Sequence, residues 1–232
     1  DLIASGNGVA VRTVEGPARL DVLVRRIDSD WADPLELDPS SRLGVPGLVE
    51  AVRRGGVVVA NALGSGLVEA PALAGYLPGL ARRLIGEELK LPNVATWWCG
   101  EAAARDTVLA DLDRLMLSPA FGRSLHGILD STGILGSRLS TAERARMATL
   151  LARRGVDFVG REPLRLSTAP VWDKGRLQPR PFAVRVFVAR TAGGWTVMPG
   201  GLARLSERED VRTLSMQRGG RSADVWVLGG PA

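Results

Sequence analysis

The sequence predicts an α+β, or mixed α/β, fold in which an α/β first half leads into a strand-rich second half. Three observations carry this expectation. The helical segment PGLVEAVRR at 46–54 stops at Gly55-Gly56 and leads at once into the apolar strand VVVAN at 57–61, and helix followed by buried strand is an α/β pattern. Beyond residue 140, one strongly signalled helix is followed by a succession of strand-like segments. Hydrophobic residues make up 45% and charged residues 24% of the 232, the usual globular mix, so most of the chain should fold.

In chain order, VAVRTV at 9–14 and LDVLVRR at 20–26 read as strands, with Glu15-Gly16-Pro17 as turn chemistry between them. Pro46 suits a first helical position, and the segment ends in Arg53-Arg54, which complement the helix dipole. Segments 71–86 and 101–112 read as helices, the first broken near Pro78. The apolar run Leu115–Leu117 ends at Ser118-Pro119 and opens into a glycine-containing stretch. Ser140-Thr141-Ala142-Glu143 is a capping box for a helix to Arg154, stopped by Gly155. Strand-like segments follow at 156–162, 164–169, 182–190, 194–198, 211–216 and 224–228, with Ala192-Gly193-Gly194 as a hairpin turn.

The formal charge is +5, from 30 Lys plus Arg against 25 Asp plus Glu, but the basic residues are scattered in pairs. The clustered stripe of a nucleic-acid binder is absent, so no nucleic-acid partner is expected. Cys99 is the single cysteine, which excludes an internal disulfide, argues against a zinc site and fits a reducing, cytoplasmic compartment. The apolar runs fall far short of the ~20 residues of a membrane span, so no membrane partner is expected. The chain opens at Asp1 without a methionine and reads as a fragment of a longer protein.

Polar residues at strand ends are the first functional candidates, because a scaffold holds them rigidly and leaves them exposed. Arg26 and Asp28 leave strand 20–26 together, either as a salt bridge or as a phosphate clamp beside a metal ligand. Asn61 ends VVVAN before the small-residue loop Ala62–Gly66, as a turn former or a ligand contact. Glu69 offers a hard oxygen for Mg²⁺ or a dipole-favoured acid before Pro71. His126 has no spacing that supports a catalytic role. Cys99 has no nearby base to activate it and reads as a small buried hydrophobe.

Several long segments are, in order, very similar to the circularly permuted ATP-grasp family, type 2. They are DVLVRRIDSDWADPLEL, SRLGVPGLVEAVRRGGVVVANALGSGLVEAPAL, GEELKLPNVATWWCGE, REPLRLSTAPVW, RPFAVRVFVA, VMPGGLAR and SMQRGGRSADVWVL. The resemblance covers about 200 residues and extends to the ATP-grasp part of glutathionylspermidine synthetase-like ligases. It implies an ATP-grasp fold in permuted order, two lobes around a nucleotide cleft. Residues 1–105 would form the metal-binding half and 106–232 the nucleotide-binding half. It further implies an ATP-dependent carboxylate–amine ligase that forms an amide through an acyl-phosphate, with ATP and Mg²⁺ as cofactors and an unidentified carboxylate and amine as substrates. A separate helical partner domain follows some relatives.

By this resemblance Asp28 and Asn61 would hold Mg²⁺ with Glu69 as a third ligand. Arg26 would steady the acyl-phosphate, Arg185 and Arg204 would contact phosphates, and Glu162 would lie on the adenine-side hinge strand. The chain departs from the family pattern at Ser118, where relatives place a lysine or arginine before the proline. It departs again at Val59, where an acid is expected, and at Ala223, where relatives often carry lysine. Ser118 is therefore expected at a strand end facing the cleft. The departures support an alternative, a degenerate, catalytically inactive ATP-grasp scaffold acting as a binding or assembly module.

Overall fold

A computed structural model describes residues 1–5, 8–122, 125, 128–129, 133–206 and 221–229. The stretch around His126 and Arg123 and the expected strand at 211–216 lie outside the described residues. The chain divides into two compact units, Asp1–Glu87 and Glu88–Ala232.

The first unit opens with three antiparallel strands, β1 (Leu2–Ser5), β2 (Gly8–Thr13) and β3 (Gly16–Leu20), in the order β1-β2-β3. The chain then changes sheets at Asp21. The strand β4 (Val22–Val24) pairs in parallel with β5 (Val58–Ala60), in register Val22↔Val58 to Val24↔Ala60. The apolar segment expected as one strand over 20–26 is thus the end of one strand and the whole of another, because Leu20 pairs with Val9 while Val22 pairs across to Val58.

Between β4 and β5 runs helix α1 (Leu48–Arg53), whose Leu48, Val49 and Ala51 are buried. Its N-cap is Gly47, at φ 85°, rather than a capping side chain, and Pro46 stands outside the helix. Asp33 supplies the cap from a distance. It is fully buried; its Oδ1 accepts from the Leu35 and Gly47 N–H at 2.9 and 3.2 Å, and its Oδ2 from the Val49 N–H at 3.0 Å. These bonds compensate a buried carboxylate and satisfy helix N-terminal amides at once. Val9, Val45, Leu48 and Val57 form the core of this unit with Ala32 and Ala51. Helices α2 (Pro71–Ala74) and α3 (Leu77–Ile85) close it. The break falls at Gly75-Tyr76, and Pro78 opens α3 rather than interrupting a helix, because its missing N–H costs nothing in a first turn.

The second unit contains a four-stranded sheet ordered β6-β9-β7-β8, from β6 (Thr96–Trp98), β7 (Met116–Pro119), β8 (Ile134–Leu135) and β9 (Phe158–Arg161). Helix α4 (Ala102–Ala110) precedes β7, and α5 (Thr141–Arg154) precedes β9. The capping box forms as the sequence predicts: the Glu143 N–H donates to Ser140 Oγ, and the Ser140 N–H donates to the Glu143 carboxylate at 2.8 Å. The Ser140 hydroxyl, which donates to the same carboxylate at 2.7 Å, and then the Ser140 N–H hold the exposed Glu143 carboxyl below the usual carboxylate range. Leu117 and Phe158 face the helices with Cys99, Val108, Met147 and Leu151. Gly160 lies on the same face, where an added Cβ would come within 2.5 Å of the Val108 side chain.

A second sheet, ordered β10-β11-β14-β15, follows from β10 (Thr168–Asp173), β11 (Arg176–Arg185), β14 (Gly201–Leu205) and β15 (Arg221–Val225). β12 (Val188–Thr191) and β13 (Gly194–Val197) form a separate hairpin around Ala192-Gly193, the expected turn, while the strand expected over 182–190 is divided between β11 and β12. The strand expected over 164–169 begins only at Thr168. The hairpin β10–β11 turns at Lys174-Gly175, both at positive φ, 49° and 79°, the pair of values a tight two-residue hairpin turn requires.

Burial pushes the Cys99 thiol up to about 11, only partly offset by a hydrogen bond from the Gly160 backbone and by Arg105. The buried thiol therefore acts as the small hydrophobe read from the sequence. Because its folded pKa is raised, the stability it contributes is complete below the ordinary thiol value of 9.0 and is lost as pH rises through about 11. Ellman's reagent at pH 8 is expected to leave the native protein unlabelled and to titrate one thiol after denaturation. Rapid labelling of the folded protein would contradict this.

Candidate functional site

The C-terminal ends of parallel strands are where α/β sheets present ligand-binding loops, and β4 and β5 end side by side. The two loops that leave them, 25–29 and 61–65, are fastened together by Arg25, a residue the sequence reading did not single out. Its N–H donates to Ala60 O at 3.0 Å and continues the pairing. Its guanidinium donates to Asn61 O at 2.8 Å, Ala62 O at 3.1 Å, Ser65 Oγ at 2.9 Å and the Ile27 carbonyl. Asn61 returns a bond from Nδ2 to Arg25 O at 3.0 Å. Ser29 Oγ accepts from the Gly64 N–H at 3.1 Å. Asn61 sits at φ 60°, a left-handed conformation that asparagine tolerates better than most residues.

On this edge the sequence-predicted residues are exposed. Arg26 and Asp28 make no ion pair with one another, so the salt-bridge alternative is not realised. Asp28 precedes a 3-10 turn over Ser29–Ala32 and makes no side-chain cap bond to it. With Nδ2 committed to Arg25, the Asn61 Oδ1 accepts no hydrogen bond among the described residues. Glu69 ends a 3-10 turn over Ser65–Glu69, is exposed, and is not bonded to the Asp28–Asn61 edge. Among the described residues no group of three or more His, Cys, Asp or Glu side chains is gathered for a metal. One free carboxylate and one free amide oxygen suit Mg²⁺, which takes one or two protein ligands and completes its shell with water and phosphate. Val59 sits in β5 partly buried against the first unit's core, so an acid there would have to leave that packing.

In the second unit, Arg185 ends β11 and Arg204 lies in β14. The register Ala183↔Arg204 and Arg185↔Leu202 places them diagonally on one face of the sheet. Ser222 is on that face too, opposite Arg204, and its Oγ accepts from Arg204 at 3.1 Å. Ala223 is on the other face, opposite Ala203, so its departure from the family pattern removes nothing from the Arg185–Arg204 face. Glu162 is exposed, directly follows β9, and its N–H donates to Ala95 O at 3.0 Å. Nothing bonds it to the two arginines.

Ser118 differs from expectation. It is 1% exposed, inside β7 rather than open to solvent, and its Oγ has no hydrogen-bond partner among the described residues. An added Cβ on Gly133 would fall 2.9 Å from the Ser118 Cβ, so the chain returning toward β8 lies directly against it.

The match to the circularly permuted ATP-grasp type 2 family covers residues 1–206, and the chain belongs to that family. It is 35% identical over 228 residues, 98% of its length, to an uncharacterized protein of Mycobacterium tuberculosis. It is 33% identical over 230 residues to one of Synechocystis, and 36% identical over 203 residues to a second M. tuberculosis protein. The chain spans 40%, 47% and 22% of these relatives. Among the described residues no helix is long and apolar enough to cross a membrane.

Proposed function

We propose that the protein is an ATP-dependent carboxylate–amine ligase that activates a carboxylate as its acyl-phosphate for attack by an amine. The observation that carries this reading is the edge at the ends of β4 and β5, where Arg25 locks the loops and the Asp28 carboxylate and Asn61 Oδ1 have no partner among the described residues. Asp28 and Asn61 would hold Mg²⁺, with Glu69 reaching it through water. When bound, the ion neutralises charge on the transferred phosphoryl group.

Arg26, exposed beside Asp28 and unpaired with it, supplies the cation that steadies the acyl-phosphate oxygens. Arg185 and Arg204 form a basic face for the nucleotide phosphates, and Glu162, on the strand exit from β9, orients the adenine side. A binding or assembly scaffold without turnover is the second reading, favoured by the apolar, core-packed Val59 where an acid is expected.

Calorimetric titration of Asp28→Asn tests the metal assignment. The amide keeps the shape and loses the hard anion, so MgATP is expected to bind this variant no better than ATP in excess EDTA. An unchanged Mg²⁺ response would remove Asp28 from the site.

A further inference from the structure

The register of the sheet β10-β11-β14-β15 separates its two faces. Arg185, Arg204 and Ser222 share one of them. The pairs Ala169↔Arg180, Phe182↔Leu205 and Leu205↔Arg221, with the alternation along each strand, put Val171, Asp173, Arg180, Leu205 and Arg221 on the other. Together with Lys174 these residues line a cavity of about 320 Å³. Asp173 is its one carboxylate: Oδ2 receives Arg180 Nη2 at 3.3 Å, and Oδ1 receives Arg221 Nη2 at 3.4 Å. Arg180 also donates to Gln178 Oε1 at 2.7 Å and Arg221 to Trp172 O at 3.0 Å, so both guanidiniums are held in place.

Three cations and one carboxylate leave an excess of two positive charges around this cavity. Arg180 keeps only 14% of its side-chain surface, so screening by water is reduced there. Like charges gathered in this way repel one another, and a bound anion relieves the repulsion. The turn adds a second sign. Lys174 sits at φ 49°, a left-handed conformation that Asn and Gly adopt more readily than lysine, and its ammonium has no partner among the described residues. Turn geometry therefore does not account for a lysine at this position, whereas a charge beside Arg180 and Arg221 does.

We infer that the cavity binds a small organic dicarboxylate, on the face of the sheet away from Arg185 and Arg204. Two carboxylates match the excess of two positive charges. The guanidiniums already take one carboxylate, that of Asp173, and planar N–H pairs suit a second. Val171 and Leu205 supply apolar surface for a short carbon chain, which an inorganic anion would not use. A volume of about 320 Å³ lies at the small end of ligand sites, which run over ~300–1,000 Å³. The site does not depend on the nucleotide-binding reading above.

Calorimetry of the intact chain with succinate, its neutral diamide succinamide and inorganic phosphate tests this. Succinate is expected to bind with a dissociation constant of about 1 mM at low salt, succinamide not to bind, and phosphate to bind about 10-fold more weakly than succinate. Arg180→Gln is expected to weaken succinate by about 10- to 100-fold, and Lys174→Asn, at an exposed position, by about 5-fold. Lys174→Asn creates an Asn-Gly turn, which favours the hairpin, so it keeps the test open should Arg180→Gln fail to fold by circular dichroism. Saturation with MgATP is expected to leave succinate binding unchanged. Absence of succinate binding, equal binding of phosphate or succinamide, or unchanged affinity in a folded variant would each overturn the inference. Displacement of succinate by MgATP would overturn it as well, by making the cavity part of the nucleotide site.

Discussion

Asp33→Ala is expected to destabilise the first unit by about 3 kcal/mol, the low end for removing a buried charged acceptor of three backbone amides, since such contributions are not additive. For a unit of 60–100 residues that corresponds to a fall in melting temperature of about 12–24 °C. The Gly47 and Val49 amides would be left without their acceptor beneath α1, and glycine at the N-cap offers no side chain to replace it. Because α1 connects the two strands that carry the candidate site, any Mg²⁺-dependent binding should disappear with it. Chemical denaturation monitored by circular dichroism checks this. A loss below about 1 kcal/mol would mean that water replaces the carboxylate and that α1 does not depend on it.

Ser118→Arg is expected to be equally damaging. From sequence alone this position invites restoration of the family's cation and a gain in nucleotide affinity. The structure gives the opposite sign. The site is 1% exposed, pressed by Gly133, and shares its sheet face with Met116, Val159 and another cation, Arg161, with no carboxylate among the described residues to receive a second guanidinium. Forcing a long charged side chain into that space is expected to cost about 3–5 kcal/mol, through overpacking and an unpaired buried charge. Thermal melting of the variant measures it. A folded variant with tighter ATP binding would show that the residues against Ser118 yield easily and that the cation belongs on β7.

The elements legible in the sequence are those whose signals are local. The capping box at Ser140 and Glu143, the hairpin turn at Ala192-Gly193 and the stop at Gly55-Gly56 each specify their structure within a few residues. Elements set by pairing between distant residues are less legible. Nothing within LDVLVRR marks Asp21 as the point where the chain leaves one sheet for another, because the change is decided by which strand lies across from it. The Lys174-Gly175 turn was available in principle, as a turn dipeptide between two strand-like runs, but the prolines at 170, 179 and 181 masked the strands around it.

The candidate site divides in the same way. Arg26, Asp28 and Asn61 could be placed at strand ends from the sequence, and the structure leaves all three exposed. Arg25 carries no local signal because its role depends on carbonyls 36 and 37 residues away, and neither does Asp33, whose partners lie up to 16 residues along the chain.

The central claim is that this chain binds nucleotide with Mg²⁺, and thermal melting with 10 mM MgATP against 10 mM Mg²⁺ alone tests it most directly. With a dissociation constant near 0.1 mM the ligand stands at about 100 times that value, which stabilises the native state by about 2.7 kcal/mol. For a chain of 150–250 residues this is a rise of about 5–11 °C in melting temperature, and it should collapse when EDTA replaces Mg²⁺. An unchanged melting temperature at 10 mM nucleotide, with or without the metal, would contradict the claim and leave a fold of this family that no longer takes its nucleotide.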